Sequence, residues 1–231
     1  MGIQERRQRE KEQRREEIIE AASQVFIKKG IEAATMDEIA TLAELSKATL
    51  YLYFRNKEEL FLAVLLIVMD AFSTCMEKSQ NPRQTVQENI RALGRAYITF
   101  FEKYPAYFKL LNTLKRTDEI ISDQYDISIE FTAVNSRIWT AVCSPIMQGI
   151  KQGIIRADVD PLEVGITLWM GSTGIINLMD SMRILSKHKG PCPVLPEGSM
   201  LSQVKNLNFS KMLDDLWEAV INHIVVSEAH V

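Results

Sequence analysis

Apolar residues recur at helical spacing along almost the whole of this 231-residue chain, and glycine, proline or capping residues separate one such stretch from the next. The alternating apolar pattern that is typical of strands is nearly absent. The clearest helix start is Asp160-Pro161-Leu162-Glu163, which combines an N-cap residue, an N1 proline and a capping box. We therefore predict an all-α protein.

Composition and targeting signals narrow the class of protein. With 46% hydrophobic residues and a net charge of −3, most of the chain is not intrinsically disordered. Its 3 cysteines lie far apart and offer no disulfide framework. The longest unbroken apolar run, Leu60 to Met69, is shorter than the roughly 20 residues that span a bilayer. Because residues 1–20 also lack the apolar core of a signal peptide, we expect a cytoplasmic protein without a membrane partner.

Capping signals also divide the N-terminal part of the chain. Thr35 and Glu38 form a capping box, and Ser46 is a second N-cap candidate. They predict two short helices, Met36–Ala43 and Lys47–Phe54, joined by a turn of about three residues, which is the spacing of a helix-turn-helix. Farther along, we expect a long helix over residues 57–78, a helix that opens at Asn81-Pro82, and one that Pro145 kinks or ends.

The second short helix leaves polar side chains facing outward, because its apolar residues can pack against the first helix of the chain. Hydroxyl, phenol and lysine groups in this position suit contacts with DNA bases and phosphates. Thr35 adds a hydroxyl at a helix N-terminus, where backbone N–H groups can receive a phosphate. The outward residues are Ser46, Lys47, Ala48, Thr49, Tyr51 and Tyr53.

Residues 15–62 resemble the DNA-binding domain of the TetR (tetracycline-repressor) family of bacterial regulators. The segments that carry this resemblance are Ile18 to Ala22, Thr35 to Ala40 and Leu45 to Leu60. The resemblance implies that Lys47, Ala48 and Thr49 read bases, while Ser46, Tyr51, Tyr53 and Lys57 contact phosphates and Thr35 anchors the preceding helix. It implies a three-helix helix-turn-helix domain over residues 1–56 and a larger helical domain for effector binding and dimerisation over residues 57–231.

Two residues depart from the usual pattern of the family, in which glycine is common at their positions. Glu44 has to adopt a left-handed backbone at a cost of about 1 kcal/mol, unless the turn itself differs. Ala48 places a methyl group in the groove, where it favours contact with thymine. Both departures bear on which operator is read.

The first 15 residues form a basic extension, with six Arg or Lys against three Glu. One interpretation is a solvated helical extension held by charge pairs four residues apart. The other is an arm that follows the DNA backbone or enters the minor groove. The sequence leaves both open.

The larger helical domain over residues 57–231, which we call the helical body, is rich in aromatic residues and methionine. These side chains suit a pocket for a small apolar or aromatic effector. The same residues would also suit an ordinary core. An anion-binding pocket would instead need Arg91, Arg95, Arg137 or Lys151. The candidate pocket residues are Tyr97, Phe100, Phe101, Tyr107, Phe108, Asn135, Trp139, Met147, Trp169 and Met170.

The last two helices are candidates for a homodimer interface, because they combine glycines with apolar side chains. In the TetR family, two such helices from each subunit form a four-helix bundle that spaces the recognition helices on a palindromic site. The candidate interface residues are Gly171, Ile175, Met179, Leu216, Val220 and Ile224.

Enzyme and metal chemistry find little support in the sequence. None of the common catalytic or nucleotide-binding motifs is present, so we predict no catalytic residues and no cofactor. His188 and Cys192, in a predicted loop over residues 187–208, are too few ligands for a structural zinc site. The leading hypothesis is a ligand-responsive transcription regulator, most often a repressor in this family. The alternative is a helical carrier or enzyme with a non-functional helix-turn-helix.

Overall fold

A computed structural model describes residues 2–113, 127–186 and 207–226 of the chain. Within these residues there is no β-strand, and only an isolated antiparallel bridge joins Ile155 to Val225. The prediction of an all-α fold is therefore confirmed. Most of the loop predicted over residues 187–208 lies outside the described residues. The helices are α1 (Ile3–Ala33), α2 (Met36–Leu42), α3 (Lys47–Tyr51), α4 (Lys57–Ser79), α5 (Val86–Lys103), α6 (Pro105–Thr113), α7 (Ile127–Lys151), α8 (Pro161–Ser186) and α9 (Phe209–Ile224).

Several helix boundaries follow from local hydrogen bonds that the sequence predicts. Asp160 Oδ1 accepts hydrogen bonds from the backbone N–H of Leu162 at 2.7 Å and of Glu163 at 3.3 Å, which caps α8. Gly30 has φ = 77° and interrupts the helical geometry near the end of α1.

One prediction about a helix start is wrong. The helix expected at Asn81-Pro82 begins instead at Val86, after a turn. There the Thr85 Oγ1 accepts from the Glu88 N–H at 3.2 Å, and the Glu88 carboxylate accepts from the Thr85 N–H at 2.8 Å. This reciprocal capping box satisfies more N–H groups than a proline start, which explains the shift. Pro145 lies inside α7, which continues to Lys151, so of the two predicted effects of this proline the helix end is excluded and the kink stays a prediction.

The chain divides into two compact units. Unit 1 comprises Met1–Lys78 and Tyr97–Ile138, and unit 2 comprises Ser79–Ala96 and Trp139–Val231. The core of unit 1 joins the helix-turn-helix to α4, because apolar side chains of α1 to α4 belong to one buried cluster. The division of the chain after residue 56 stays a prediction. Fully buried members of the cluster are Ile18, Ala22, Ile39, Leu50, Leu60, Phe61 and Leu65.

Unit 2 is organised around Trp217 of α9. Its indole N–H donates a hydrogen bond to the Ser172 Oγ of α8 at 3.0 Å, and Ser172 has no exposed surface. Gly94 of α5 packs so closely that a Cβ atom there would lie 2.7 Å from the Trp217 ring. Three helices therefore meet at one indole, and its polar atom is satisfied by a buried hydroxyl.

Candidate nucleic-acid interface

The helix-turn-helix is built from two short helices whose N-termini are capped as the sequence predicts. Thr35 Oγ1 accepts from the Glu38 N–H at 3.3 Å, and the Glu38 carboxylate accepts from the Thr35 N–H at 3.3 Å. Ser46 Oγ accepts from the Thr49 N–H at 3.0 Å. Because these caps use the side chains at both helix starts, α2 and α3 begin at defined residues.

The turn between α2 and α3 contains Glu44, which stands at a position where glycine is common in the family that the sequence resembles. Glu44 has φ = 55°. Among the described residues, it is the one residue other than glycine that has a positive φ. The prediction of a left-handed backbone at this position is therefore confirmed. The short turn is closed by a hydrogen bond from the Leu45 N–H to the Ala40 carbonyl at 2.8 Å.

The packing of the helix-turn-helix leaves most of the predicted DNA contacts exposed, but Tyr53 packs against the buried cluster. Ile39 and Leu50 have no exposed surface, and Phe54 is 2% exposed. We call the eight predicted DNA contacts the recognition surface. Thr35, Ser46, Lys47, Ala48 and Tyr51 are exposed, whereas Thr49, Tyr53 and Lys57 are half-buried.

One exposed residue beside the recognition surface is missed by the sequence reasoning. Leu52, which caps the C-terminus of α3, is 81% exposed. The spacing of apolar residues contains a signal for it, since Leu50 and Phe54 lie in the core and Leu52 falls on the other side of the chain. An apolar side chain at this position can contact a thymine methyl group.

Lys47 is not a free cation in this structure. Its Nζ lies 2.8 Å from Asp37 Oδ1 and 3.0 Å from Asp37 Oδ2. The hydrogen bond to Asp37 raises the pKa of Lys47 above its usual value. The first residue of α3 therefore stays charged, but its charge is shared with a carboxylate of α2.

Lys57 has a structural role in addition to the one that the resemblance implies. Its Nζ donates hydrogen bonds to the carbonyl oxygens of Glu32 at 3.2 Å and Ala34 at 3.1 Å. These carbonyls lie at the C-terminus of α1, where a cation stabilises the helix dipole. Because an ammonium group has three donors, one N–H of Lys57 remains for a phosphate.

The basic extension is helical, and all of its described residues are exposed. Arg6 pairs with Glu10 at 2.8 Å, and Gln8 donates to Glu12 at 2.8 Å. These pairs four residues apart agree with the interpretation of a solvated helix. Contact between this helix and DNA stays a hypothesis. Arg7 and Lys11, four residues apart on one face, have no ion-pair partner among the described residues.

The candidate pocket residues divide between the two units. In unit 1, Tyr97, Phe100, Phe101 and Phe108 are buried, and Tyr107 is half-buried. Edge-to-face contacts join them, such as Tyr97 to Phe108 at 5.7 Å and Phe101 to Phe108 at 5.1 Å between ring centroids. We call these five residues, with Phe72 and Tyr104, the aromatic cluster.

The other candidate pocket residues lie nearer the protein surface. Trp139 is half-buried and meets Trp169 edge to face at 6.3 Å within unit 2. Asn135 is exposed, and Met147, Trp169 and Met170 are 48%, 42% and 60% exposed. Asn135 belongs to unit 1, whereas Met147, Trp169 and Met170 belong to unit 2.

Two of the arginines that could serve an anion pocket already have carboxylate partners. Arg91 binds Glu218 through Nε at 2.5 Å and through Nη2 at 2.9 Å. Arg137 binds Asp70 at 2.5 Å and Glu77 at 2.8 Å. The hydrogen bonds to these arginines lower the pKa of Glu218 and of Glu77 below their usual value. Neither guanidinium is therefore free to neutralise an anionic ligand.

The candidate dimer residues are partly used within the chain. A Cβ atom at Gly171 would lie 2.7 Å from Leu216, and Ile224 is 2% exposed. Ile175, Met179 and Val220 are half-buried. The candidate interface residues do not include a row of residues that are exposed and four apart along α8. This α8 row consists of Leu162, Ile166, Met170, Gly174 and Leu178.

Metal and thiol chemistry can be assessed for the described residues. Among them, no group of three His, Cys, Asp or Glu side chains could hold a metal ion. His188 and Cys192 lie outside them. Burial raises the pKa of the half-buried Cys75 and Cys143 thiols above the usual value, which lowers their thiolate fraction.

Two described helices, Lys57–Ser79 and Pro161–Met182, are long and apolar enough to span a membrane by length and composition. The first contributes ten buried residues to the protein interior, as the core helix of a folded domain does. The second contains the α8 row. The expectation that the protein has no membrane partner stays a prediction.

Comparison with known proteins identifies what the chain resembles. Residues 18–64 match the family described as "Bacterial regulatory proteins, tetR family". The transcriptional regulator TtgR of Pseudomonas putida is 40% identical over 191 residues, which cover 78% of this chain and 88% of TtgR. The transcriptional activator FasR of Mycolicibacterium smegmatis is 35% identical over 101 residues, 44% of this chain. The chain spans only about half of several relatives, and 46% of FasR.

Solved structures share the fold over nearly the whole chain. A TetR family transcription regulator from Marinobacter aquaeolei has a TM-score of 0.61 with 21% identity, covering 92% of this chain and 97% of that one. SmeT, the repressor of a multidrug efflux pump of Stenotrophomonas maltophilia, has a TM-score of 0.60 with 17% identity, covering 94% and 93%. At these identities the likeness concerns the fold.

Proposed function

This chain belongs to the TetR family of bacterial transcription regulators, and we propose that it is a repressor that binds a palindromic operator as a homodimer. Each subunit places α3 in the major groove of the DNA. A small effector bound in the helical body releases the DNA by favouring a different separation of the two recognition helices. Because its target is DNA, the protein acts in the cytoplasm.

The observation that carries this proposal is the exposed N-terminus of α3 on a rigid base. Leu50 and Phe54 hold α3 against the core, whereas Ser46, Lys47 and Ala48 are exposed. A helix can read bases only if its outward side chains reach solvent and its position is set by buried ones. Ser46, Lys47 and Ala48 meet the first condition, and Leu50 and Phe54 meet the second.

The α8 row supports the proposed homodimer. Its residues are four apart, which is the spacing of the ridges through which helices pack. A Cβ atom at Gly174 would meet no atom within 4 Å, so a second helix can approach closely there. Burial of Met170, which is 60% exposed, and of Ile166 in a second copy would remove apolar surface from water.

The aromatic cluster and the paired arginines support an apolar or aromatic effector. Seven aromatic side chains are concentrated in α4 to α6, and their edges and faces can hold a planar ligand. Arg91 and Arg137 already neutralise carboxylates of the protein itself. Thermal shift with apolar and charged metabolites tests this part, and stabilisation by charged metabolites alone would contradict it.

A mobility shift on the DNA upstream of the gene tests the whole proposal. Lys47→Ala should weaken binding about tenfold, and Tyr51→Phe about fivefold, since each removes a donor at the recognition surface. Lys151→Ala, which removes an exposed cation of α7, is the matched control. The alternative, a carrier or enzyme with a non-functional helix-turn-helix, predicts no binding to any upstream fragment at low salt.

A further inference from the structure

Unit 1 contains an open groove outside the recognition surface, and it shares only Tyr107 with the candidate effector pocket. Its volume is about 790 Å³, which is within the range of small-molecule sites. α1, α4, the end of α2 and Tyr107 of α6 line it, and we call it the α1 groove. From its lining we infer that the α1 groove binds a small amphipathic cation, such as an alkyl ammonium compound.

The floor of the α1 groove is apolar and partly open to solvent. Ile19 and Val64 form its buried part, and they are 4% and 2% exposed. Leu42 and Ile67, which also line it, are 48% and 54% exposed. An alkyl chain laid across these side chains would remove apolar surface from water on both partners.

The rim of the α1 groove is acidic. Four glutamates line it against one arginine, and that arginine, Arg14, is already paired with Glu17 at 2.8 Å. Glu16 and Glu44 have no ion-pair partner among the described residues. A cation bound near them would be attracted by carboxylates that the protein does not itself neutralise, whereas an anion would be repelled.

A serine hydroxyl in the wall points independently to a ligand. Ser23 lines the α1 groove and is 5% exposed. Within the described part of the chain, no residue exchanges a hydrogen bond with its side chain. Its oxygen is not among the buried atoms without a partner, so it keeps access to solvent and can accept a hydrogen bond from an ammonium group, which has only donors.

Occupation of the α1 groove would act on the helix-turn-helix directly. Leu42, Ala43 and Glu44, which connect α2 to α3, form part of its wall. A ligand that favours one conformation of this connection shifts the population of binding-competent molecules. This effect on DNA binding rests on the proposed function, whereas the binding of the cation does not.

Methyl NMR of the full chain tests the proposal, with octylammonium as the probe and octanoate as its anionic counterpart. Octylammonium should shift the methyl signals of Ile19 and Ile67, which line the α1 groove, and octanoate should bind at least about tenfold more weakly. Ile155 and Ile221 of unit 2 are internal references. Equal binding of octanoate, or shifts confined to unit 2, would overturn the proposal.

Variants test the rim and the hydroxyl separately. Glu16→Gln with Glu44→Gln should weaken octylammonium binding about fivefold, and Ser23→Ala about threefold. Glu12→Gln, on the exposed extension outside the groove, should leave it unchanged. Unchanged affinity in the double variant would also overturn the proposal. A mobility shift on the same samples distinguishes the proposed DNA binding from the proposed cation binding. A protein that binds DNA but shows no methyl shifts with octylammonium would contradict only the cation site in the α1 groove.

Discussion

The Lys47 ammonium at the start of α3 lies 2.8 Å from the Asp37 carboxylate at the start of α2. Both side chains are more than half exposed, at 55% and 65%. The ion pair joins the two helices of the helix-turn-helix on the side that the proposed function gives to DNA. A phosphate or a base that binds Lys47 must therefore compete with a carboxylate of the protein.

Removal of this competitor should strengthen DNA binding. We expect Asp37→Asn to raise the affinity for any DNA about two- to fivefold and to steepen its dependence on salt, since Lys47 becomes available for phosphate. Fluorescence anisotropy across a range of salt concentrations measures both. Asp214→Asn, which removes an exposed carboxylate of α9, controls for net charge, and an equal effect of the two variants would contradict this role of Asp37.

Glu44 in the left-handed region should cost stability. Glu44→Gly is expected to raise the free energy of unfolding by about 1 kcal/mol, because glycine adopts φ = 55° without the clash of a Cβ atom. Lys28→Gly, within the helical part of α1, should instead lower it by about 1 kcal/mol. Urea denaturation of both variants measures the two changes, and loss of stability in Glu44→Gly would disprove the strain.

Substitutions in the basic extension should distinguish a solvated helix from an arm that contacts DNA. If the helix follows DNA, Arg7→Gln with Lys11→Gln should reduce the salt slope of binding by about 2, one for each lost phosphate contact. Arg6→Gln with Arg9→Gln is the matched pair, because Arg6 is bound to Glu10 and Arg9 donates to the Glu5 carbonyl. Identical slopes for the wild type and both double variants would leave the solvated helix as the correct interpretation.

The Arg91–Glu218 ion pair should make stability depend on pH in the acid range. The hydrogen bonds from Arg91 lower the pKa of Glu218 in the folded protein below the usual value of 4.5. The resulting stabilisation is complete above the pKa of the unfolded chain, and it is lost as the pH falls through the folded pKa. Between about pH 6 and pH 3, the free energy of unfolding should therefore fall less in Glu218→Gln than in the wild type, and denaturation at each pH measures it. Glu102→Gln, at an exposed site of α5, serves for comparison, and parallel curves for the wild type and Glu218→Gln would refute the linkage.

Two glycines should respond to alanine in opposite ways. Gly94→Ala should destabilise the protein by about 1–3 kcal/mol, because its Cβ would lie 2.7 Å from the Trp217 ring. Gly174→Ala meets no atom within 4 Å and improves helix propensity, so the subunit should gain up to about 1 kcal/mol. The proposed homodimer should nevertheless weaken in Gly174→Ala. Calorimetry and sedimentation report the two effects, and an unchanged dimer would argue against contact through the α8 row.

Local signals in the sequence predicted much of the helix-turn-helix. The caps at Thr35 and Ser46 and the left-handed backbone at Glu44 each depend on residues within about four positions along the chain. They can therefore be predicted without knowledge of the fold. A local signal can also be overlooked: Asn81-Pro82 predicts a helix start, whereas the Thr85–Glu88 capping box, which the sequence analysis missed, starts α5.

Residue type and spacing by themselves determined the helical class, the caps and the family resemblance, because these depend on neighbours along the chain. Only the tertiary structure decided which charged side chains already have a hydrogen-bond or ion-pair partner within the protein. The partners of Lys47, Lys57 and Arg91 lie 10, 25 and 127 residues away, and no periodicity encodes them. The same holds for the α8 row and the α1 groove, since exposure is the outcome of packing between elements that are distant in sequence.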